Sequence, residues 1–244
     1  VEKRLADADA PLDLLVNNAG FGTAGHFVDL PVAREEQQVQ LNVVAVLRLT
    51  SVALAGMVAR GRGNVVNVAS IAAFLPAPDS ATYAATKAFV CSFTESLHDE
   101  LAGSGVCATA SVPGFTRTEF QDRAEWTEQE HVPERAWLSP EQVARDSLAA
   151  ARAGRTRVVP GVGYKALVGE LDALEFESDH RVGHARHVAL QGEPFEADVA
   201  GNAFADGGGD LAEGLARPVG VGHERSAHRD EVCTAGLQDG FGVL

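Results

Sequence analysis

Tyr83 and Lys87 stand four apart in the stretch "TYAATKAF", in a chain with only two tyrosines. In a helix, positions i and i+4 share one face, so the spacing brings a phenol and an ammonium together. A neighbouring positive charge favours the phenolate and lowers a phenol from its reference pKa of about 10. A phenol tuned in that way gives a proton to a carbonyl oxygen, or takes one from an alcohol, near neutral pH. Ser70 lies upstream of Tyr83 with a loop between, so its hydroxyl can address the same substrate oxygen. Asn42 sits inside the apolar run "QLNVVAVL". An amide there is a poor helix former and costly to bury without partners. It either holds a water in a proton path or caps a neighbouring loop.

The elements around these residues must position them. "LDLLV" (Leu12 to Val16) is a short apolar run that enters "NNAG", as a buried parallel strand enters a loop. A helical pattern runs from about Arg34 to Arg60 and closes at "GRG". "NVVNVAS" (Asn64 to Ser70) is the second strand, "FLPAPDS" a loop, and Ser80 the expected cap of a helix from about Ala81 to Ala102. "GVCATASVPG" (Gly105 to Gly114) is a third strand ending in a Pro-Gly turn. "SPEQ" has Ser139 as cap, Pro140 in the first turn and Gln142 at the capping-box position of a helix to about Arg152. "TRVVPG" (Thr156 to Gly161) is the fourth strand. Strands separated by helices predict an α/β fold, a doubly wound parallel sheet covered on both faces. Ligands of such sheets sit outside the carboxyl ends of the strands. That rule gathers Asn17 to Gly20, Ser70 and Pro113 to Thr118 at one rim.

Residues 1–169 therefore form one predicted domain, and residues 170–244 a Gly-, Ala-, Asp- and His-rich tail. The tail carries 15 acidic and 5 basic residues, most of the chain's net charge of −14. It lacks sustained periodicity and reads as weakly ordered, with a short helix near Asp210 to Ala216. Its histidines have no matching carboxylate or cysteine pattern, so no metal site is expected. The acidic balance argues against nucleic-acid binding. No run of about 18 apolar residues suggests a membrane span. Three widely spaced cysteines and the lack of a secretory pattern at the start set the cytoplasm as the expected location.

"NNAG", "VNVAS", "YAATK" and "PGFTRT", in this order and spacing, resemble the short-chain dehydrogenase/reductase family, bacterial members in particular. The resemblance runs from Pro11 to Gly169. It implies a Rossmann-like sheet, NAD or NADP as cofactor, and interconversion of a ketone or aldehyde with an alcohol. It further implies Tyr83 as general acid/base, and Lys87 as the group that holds the nicotinamide ribose and tunes Tyr83. Ser70 would orient the substrate carbonyl, and Asn42 would anchor a relay water. Asn17, Asn18, Ala19 and Gly20 would support the adenosine side of the cofactor. Pro113, Gly114, Thr116 and Thr118 would wrap its nicotinamide and pyrophosphate. The helices around 34–60 and 81–102 would form a homo-oligomer face.

The family's Gly-rich TGxxxGxG turn has no counterpart ahead of "LDLLV", and the glycines of "GFGTAG" follow the wrong strand to replace it. That turn sets backbone N–H groups against the pyrophosphate. The sequence thus predicts an N-terminally truncated catalytic half with weak dinucleotide binding. It leaves a second expectation open, a catalytically inactive relative that serves as a binding or assembly module. The substrate is shaped by "EFQDRAEWTEQEHVPERAW", a polar stretch that reads as a mobile lid. Phe115, Phe120, Trp126 and Trp137 either line an apolar pocket or pack that lid onto the body.

Overall fold

Four short β-rich runs end at polar or glycine-containing turns, and each becomes a strand of one sheet. In the computed structural model, which describes residues 1–124 and 132–169, these are β1 (Leu14–Asn17), β2 (Gly63–Val68), β3 (Val106–Ser111) and β4 (Arg157–Val158). They lie in the order β1-β2-β3-β4 and all neighbours are parallel. The expected tail, its helix near Asp210 and Trp126 fall outside the described residues. The strands are shorter than the apolar runs suggest. The chain leaves the sheet at Ala69 and at Val112, although the Ala69 and Val112 amides still bond across to Ser111 and Val158.

Alternation along the strands divides the sheet into two faces. Leu15, Val65, Val106 and Ala108 point to one side, where Ala53 and Met57 of α3 (Ala45–Arg60) and Leu101, just past α4 (Ala81–Glu100), close a buried cluster. Ser111 points to the other side and shares a 2.7 Å hydrogen bond with Ser147 of α6 (Pro140–Arg152). Helices therefore cover both faces, and the fold is a doubly wound, Rossmann-like α/β sheet. Ser139 caps α6 as its sequence predicts, its Oγ accepting from the Gln142 amide at 3.2 Å. Ser80 occupies the N-cap position of α4 without capping it; its hydroxyl points to the Thr23 carbonyl at 3.5 Å instead.

The helix expected from Arg34 to Arg60 begins at Val32 and is not uniform. It comprises α2 (Val32–Val39), a π turn over Gln40–Val44, and α3. Against the expectation of no candidate span, this continuous helix is long and apolar enough, by length and composition, to cross a bilayer. Its apolar character has a local cause. Val46, Thr50, Ala53 and Met57 form a stripe buried inside the protein, while Leu47 and Val58 remain exposed.

Candidate active site

The loops that leave β1, β2 and β3 at their carboxyl ends meet around a cleft of about 790 Å³. Ser70 leaves β2 in extended backbone and starts a short 3₁₀ turn, its Oγ accepting from the Ala72 amide at 3.2 Å. Tyr83 and Lys87 approach from the first two turns of α4. All three line the cleft, as do Asn18, Gly20, Pro113, Gly114, Thr116 and Thr118. Gly20 occupies the narrow gap between two of the predicted site residues. A Cβ there would lie 3.0 Å from Asn42 Oδ1 and 3.5 Å from Lys87 Nζ.

The electrostatics differ from the simple tyrosine–lysine expectation. Burial raises the Tyr83 phenol above its usual range, and hydrogen bonding with Ser70 pulls it back only in part. Lys87 is buried and its pKa is pushed down to about 8, chiefly by desolvation, with a small opposing contribution from Cys91. The ammonium donates to the Val68 carbonyl at 2.8 Å and sits 5.7 Å from the centre of the Tyr83 ring. Loss of water is the main cause of the shift in both groups.

Asn42 is buried on the π turn, and its amide is hydrogen-bonded through both its nitrogen and its oxygen. Nδ2 donates to the Phe21 carbonyl at 2.9 Å and to Thr86 Oγ1 at 3.1 Å, while Oδ1 accepts from the Phe21 amide at 3.2 Å. The side chain clamps the loop after β1. Asn17 turns away from the cleft. Its Nδ2 donates to Thr50 Oγ1 at 3.0 Å and to Asn67 Oδ1 at 2.8 Å, and Asn67 donates to Thr94 Oγ1 at 3.0 Å. This buried polar chain ties the start of "NNAG" to α3, β2 and α4. Ala19 is exposed and lies off the cleft wall.

Three contributors escape sequence patterns. Gly22 is one: a Cβ at this position would come within 3.3 Å of the Tyr83 ring and 3.1 Å of Phe120. Thr86, the partner of Asn42, lies between Tyr83 and Lys87 and carries no motif of its own. Tyr164 is the third; its ring covers Gly114. Of the four aromatic candidates, Phe120 packs on Tyr83 with centroids 5.3 Å apart and lines the cleft. Phe115 also lines it and packs against Trp137 at 5.7 Å. Arg117 pairs with Glu134 and stacks over Trp137. Among the described residues no cluster of metal ligands occurs.

Fold and cleft together define a Rossmann-like α/β protein with a cleft at the carboxyl rim of a parallel sheet. The family model for short chain dehydrogenases matches residues 1–129, over half the chain, and the protein belongs to that family. It is similar to an uncharacterized oxidoreductase of Myxococcus xanthus, 41% identical over 118 residues that make up 48% of this chain and 47% of the relative. A 3-oxoacyl-[acyl-carrier-protein] reductase, FabG, from Vibrio cholerae is 32% identical over 120 residues, 49% of each protein. A short-chain dehydrogenase from Sphingobium yanoikuyae, solved in complex with NADPH, superimposes with a TM-score of 0.63 at 29% identity, covering 80% of this chain and 71% of that one. The chain spans about half the length of the curated relatives it matches.

Proposed function

We propose that the chain is a cytoplasmic NAD(P)-dependent oxidoreductase that interconverts a ketone or aldehyde with an alcohol. The observation that carries this reading is the convergence of Ser70, Tyr83 and Lys87 in one cleft. The donor set suits a dinucleotide. The Lys87 ammonium, the Thr118 hydroxyl and the Asn18 amide match ribose hydroxyls and phosphate oxygens, while Thr116, whose hydroxyl donates to the Gly114 carbonyl, can serve only as an acceptor. The surrounding wall of Val, Ala, Pro and Phe suits a flat ring. In this reading Lys87 holds the nicotinamide ribose. Pro113, Gly114, Thr116 and Thr118 embrace the nicotinamide and pyrophosphate, and Asn18 and Gly20 lie on the adenosine side. When bound, the dinucleotide supplies or accepts the hydride.

The protein's part is placement and proton transfer. Ser70 donates to the substrate oxygen and fixes its position. Tyr83, kept neutral by burial, gives its proton to that oxygen as reduction proceeds. A phenol with a raised pKa is in the right form for reduction at neutral pH. The reverse oxidation requires the phenolate, and a bound cationic ring would favour it. Asn42 holds the wall behind Lys87. Both Nδ2 protons are taken, so a relay water there would be anchored by acceptors, the second lone pair of Asn42 Oδ1 or main-chain carbonyls. The π turn favours this: the Ala45 amide bonds back to Gln40, loosening the ordinary ladder around Asn42.

The test is consumption of NADPH or NADH by the purified chain across a panel of ketones and aldehydes. Carbonyl-dependent turnover is expected, and Tyr83→Phe should lower kcat by about 100-fold or more. Equal rates for the two proteins would refute the role of Tyr83. We further propose that the protein self-associates through the helices around 34–60 and 81–102, where Leu47, Val58 and Phe89 are exposed.

A further inference from the structure

Tyr164 lies outside every motif that marks the cleft. It belongs to α7, over 162–169, which follows β4 after the Gly161 turn. Its ring lies against the backbone of Gly114, where a Cβ would stand only 2.1 Å from Tyr164 Cζ. No residue larger than glycine fits under the ring without displacing it. The phenol makes two hydrogen bonds. Oη donates to the Ala136 carbonyl at 2.7 Å and accepts from the Phe115 amide at 3.2 Å. These partners are far apart in sequence. They are the two ends of the excursion that leaves β3 and returns to α6.

The same two ends are joined beside Tyr164 by main-chain pairing. The Leu138 amide donates to the Phe115 carbonyl at 2.8 Å, and the Arg117 amide to the Leu138 carbonyl at 3.0 Å. Leu138 is buried, and Gly161 lets it approach: a Cβ on Gly161 would lie 2.9 Å from Leu138 Cδ2. Past this junction the chain enters the cleft wall. Thr116 bonds back to the Gly114 carbonyl, and Gln121 holds the Thr116 carbonyl. One side chain from α7 thus fixes where the wall begins. Burial raises the Tyr164 phenol, so the O–H that Ala136 accepts persists through neutral and mildly alkaline pH.

We propose that Tyr164 is a positioning residue for the reaction: by pinning Gly114, Phe115 and Ala136 together, it sets Thr116 and Thr118 at the distance the dinucleotide requires. This rests on the oxidoreductase reading of the cleft. Tyr164 touches neither of the groups assigned to proton transfer, so it should act on cofactor affinity and leave the chemical step alone.

The test uses the full chain carrying Trp126→Phe, which leaves Trp137 as its only tryptophan. Trp137 packs on Phe115 and reports the junction. Tyr164→Phe keeps the ring over Gly114 and deletes both hydrogen bonds. Their loss predicts roughly a tenfold rise in KM and Kd for NADPH, with kcat changed less than about twofold. Acrylamide quenching of Trp137 should increase in parallel. Gly114→Ala, which pushes the ring away, should raise the quenching of Trp137 in the same way; its NADPH affinity is no measure of the clasp, because Gly114 itself lines the cofactor wall. Unchanged quenching in Tyr164→Phe would overturn the clasp. Increased quenching with unchanged NADPH affinity would overturn the positioning role and leave a purely structural one. If the parent chain responds in quenching yet neither binds NADPH nor turns over, the oxidoreductase reading fails, and with it the reaction that Tyr164 would serve.

Discussion

Lys87 carries an energetic cost as well as a proposed role. Its ammonium is buried, and one carbonyl replaces the water it has lost. The folded-state pKa of about 8 lies below the ordinary lysine value of 10.5. Between these values the unfolded chain holds more protons than the folded one, so stability rises with pH across that window. Below it the full penalty applies, about 3 kcal/mol for a shift of this size. Lys87→Met removes the charge but also the bond to Val68, which returns about 1 kcal/mol. The variant should therefore be more stable at pH 7 by on the order of 2 kcal/mol. The gain should vanish by about pH 10. Urea melts at the two pH values check both sign and window. Asn42 is the opposite case. Asn42→Ala leaves the Phe21 amide and carbonyl without their side-chain partner and opens space beside Gly20. A loss of about 2–4 kcal/mol is expected in the same melts. The Tyr83–Lys87 pair is legible in the sequence because spacing on a helix is a local property. The direction of their pKa shifts is not, because it depends on how much water the finished fold excludes from them.

At the scale of elements, the alternation of strands and helices is legible because each apolar run ends at a polar or glycine-containing turn. Parallel order follows from the connecting helices. Three features depend on tertiary partners and leave no local mark. Ser80 has the residue type and position of a cap, yet its hydroxyl turns to Thr23, which is distant in sequence. The π turn at Gln40–Val44 coincides with the clamp between Asn42 and the loop after β1. Asn17 reads as a loop residue at the rim, but it is the middle of a buried chain linking Thr50 and Asn67. The helices that shield these groups also present an outer surface. On α4, Phe89 and Phe93 stack with centroids 5.6 Å apart, and Phe89 is still 36% exposed. An aromatic pair at that exposure is most stable when covered by another apolar surface. If α3 and α4 pair between two copies, Phe89→Glu places a charge in the interface. The expected outcome is a shift from dimer to monomer in light scattering, with an unchanged far-ultraviolet spectrum. A mass that is the same for both proteins would remove α4 from the interface.

For the whole molecule, the sheet is protected unevenly. β2 and β3 have a strand on each side and helices over both faces. β1 is an edge among the described residues: it pairs with β2, and no other described strand lies beyond it. Its side chains alternate, with Leu15 and Asn17 buried and Val16 46% exposed on the face opposite α3, where it lines the cleft. An apolar strand with an edge that no described strand covers is a template for pairing with another chain. Four residues of such a strand give only a few hydrogen bonds. The association should therefore be weak, dependent on concentration and separate from pairing through α3 and α4. A lysine at an exposed position on an edge strand opposes this pairing by charge and hydration. Val16→Lys should thus reduce light scattering of concentrated solutions during storage. Since Val16 makes little use of the core, its melting temperature should change by no more than a few degrees. Phe89→Glu should leave the slow scattering in place. If Val16→Lys scatters as much as the parent, the β1 edge is already covered, and the open side of the sheet must be sought elsewhere.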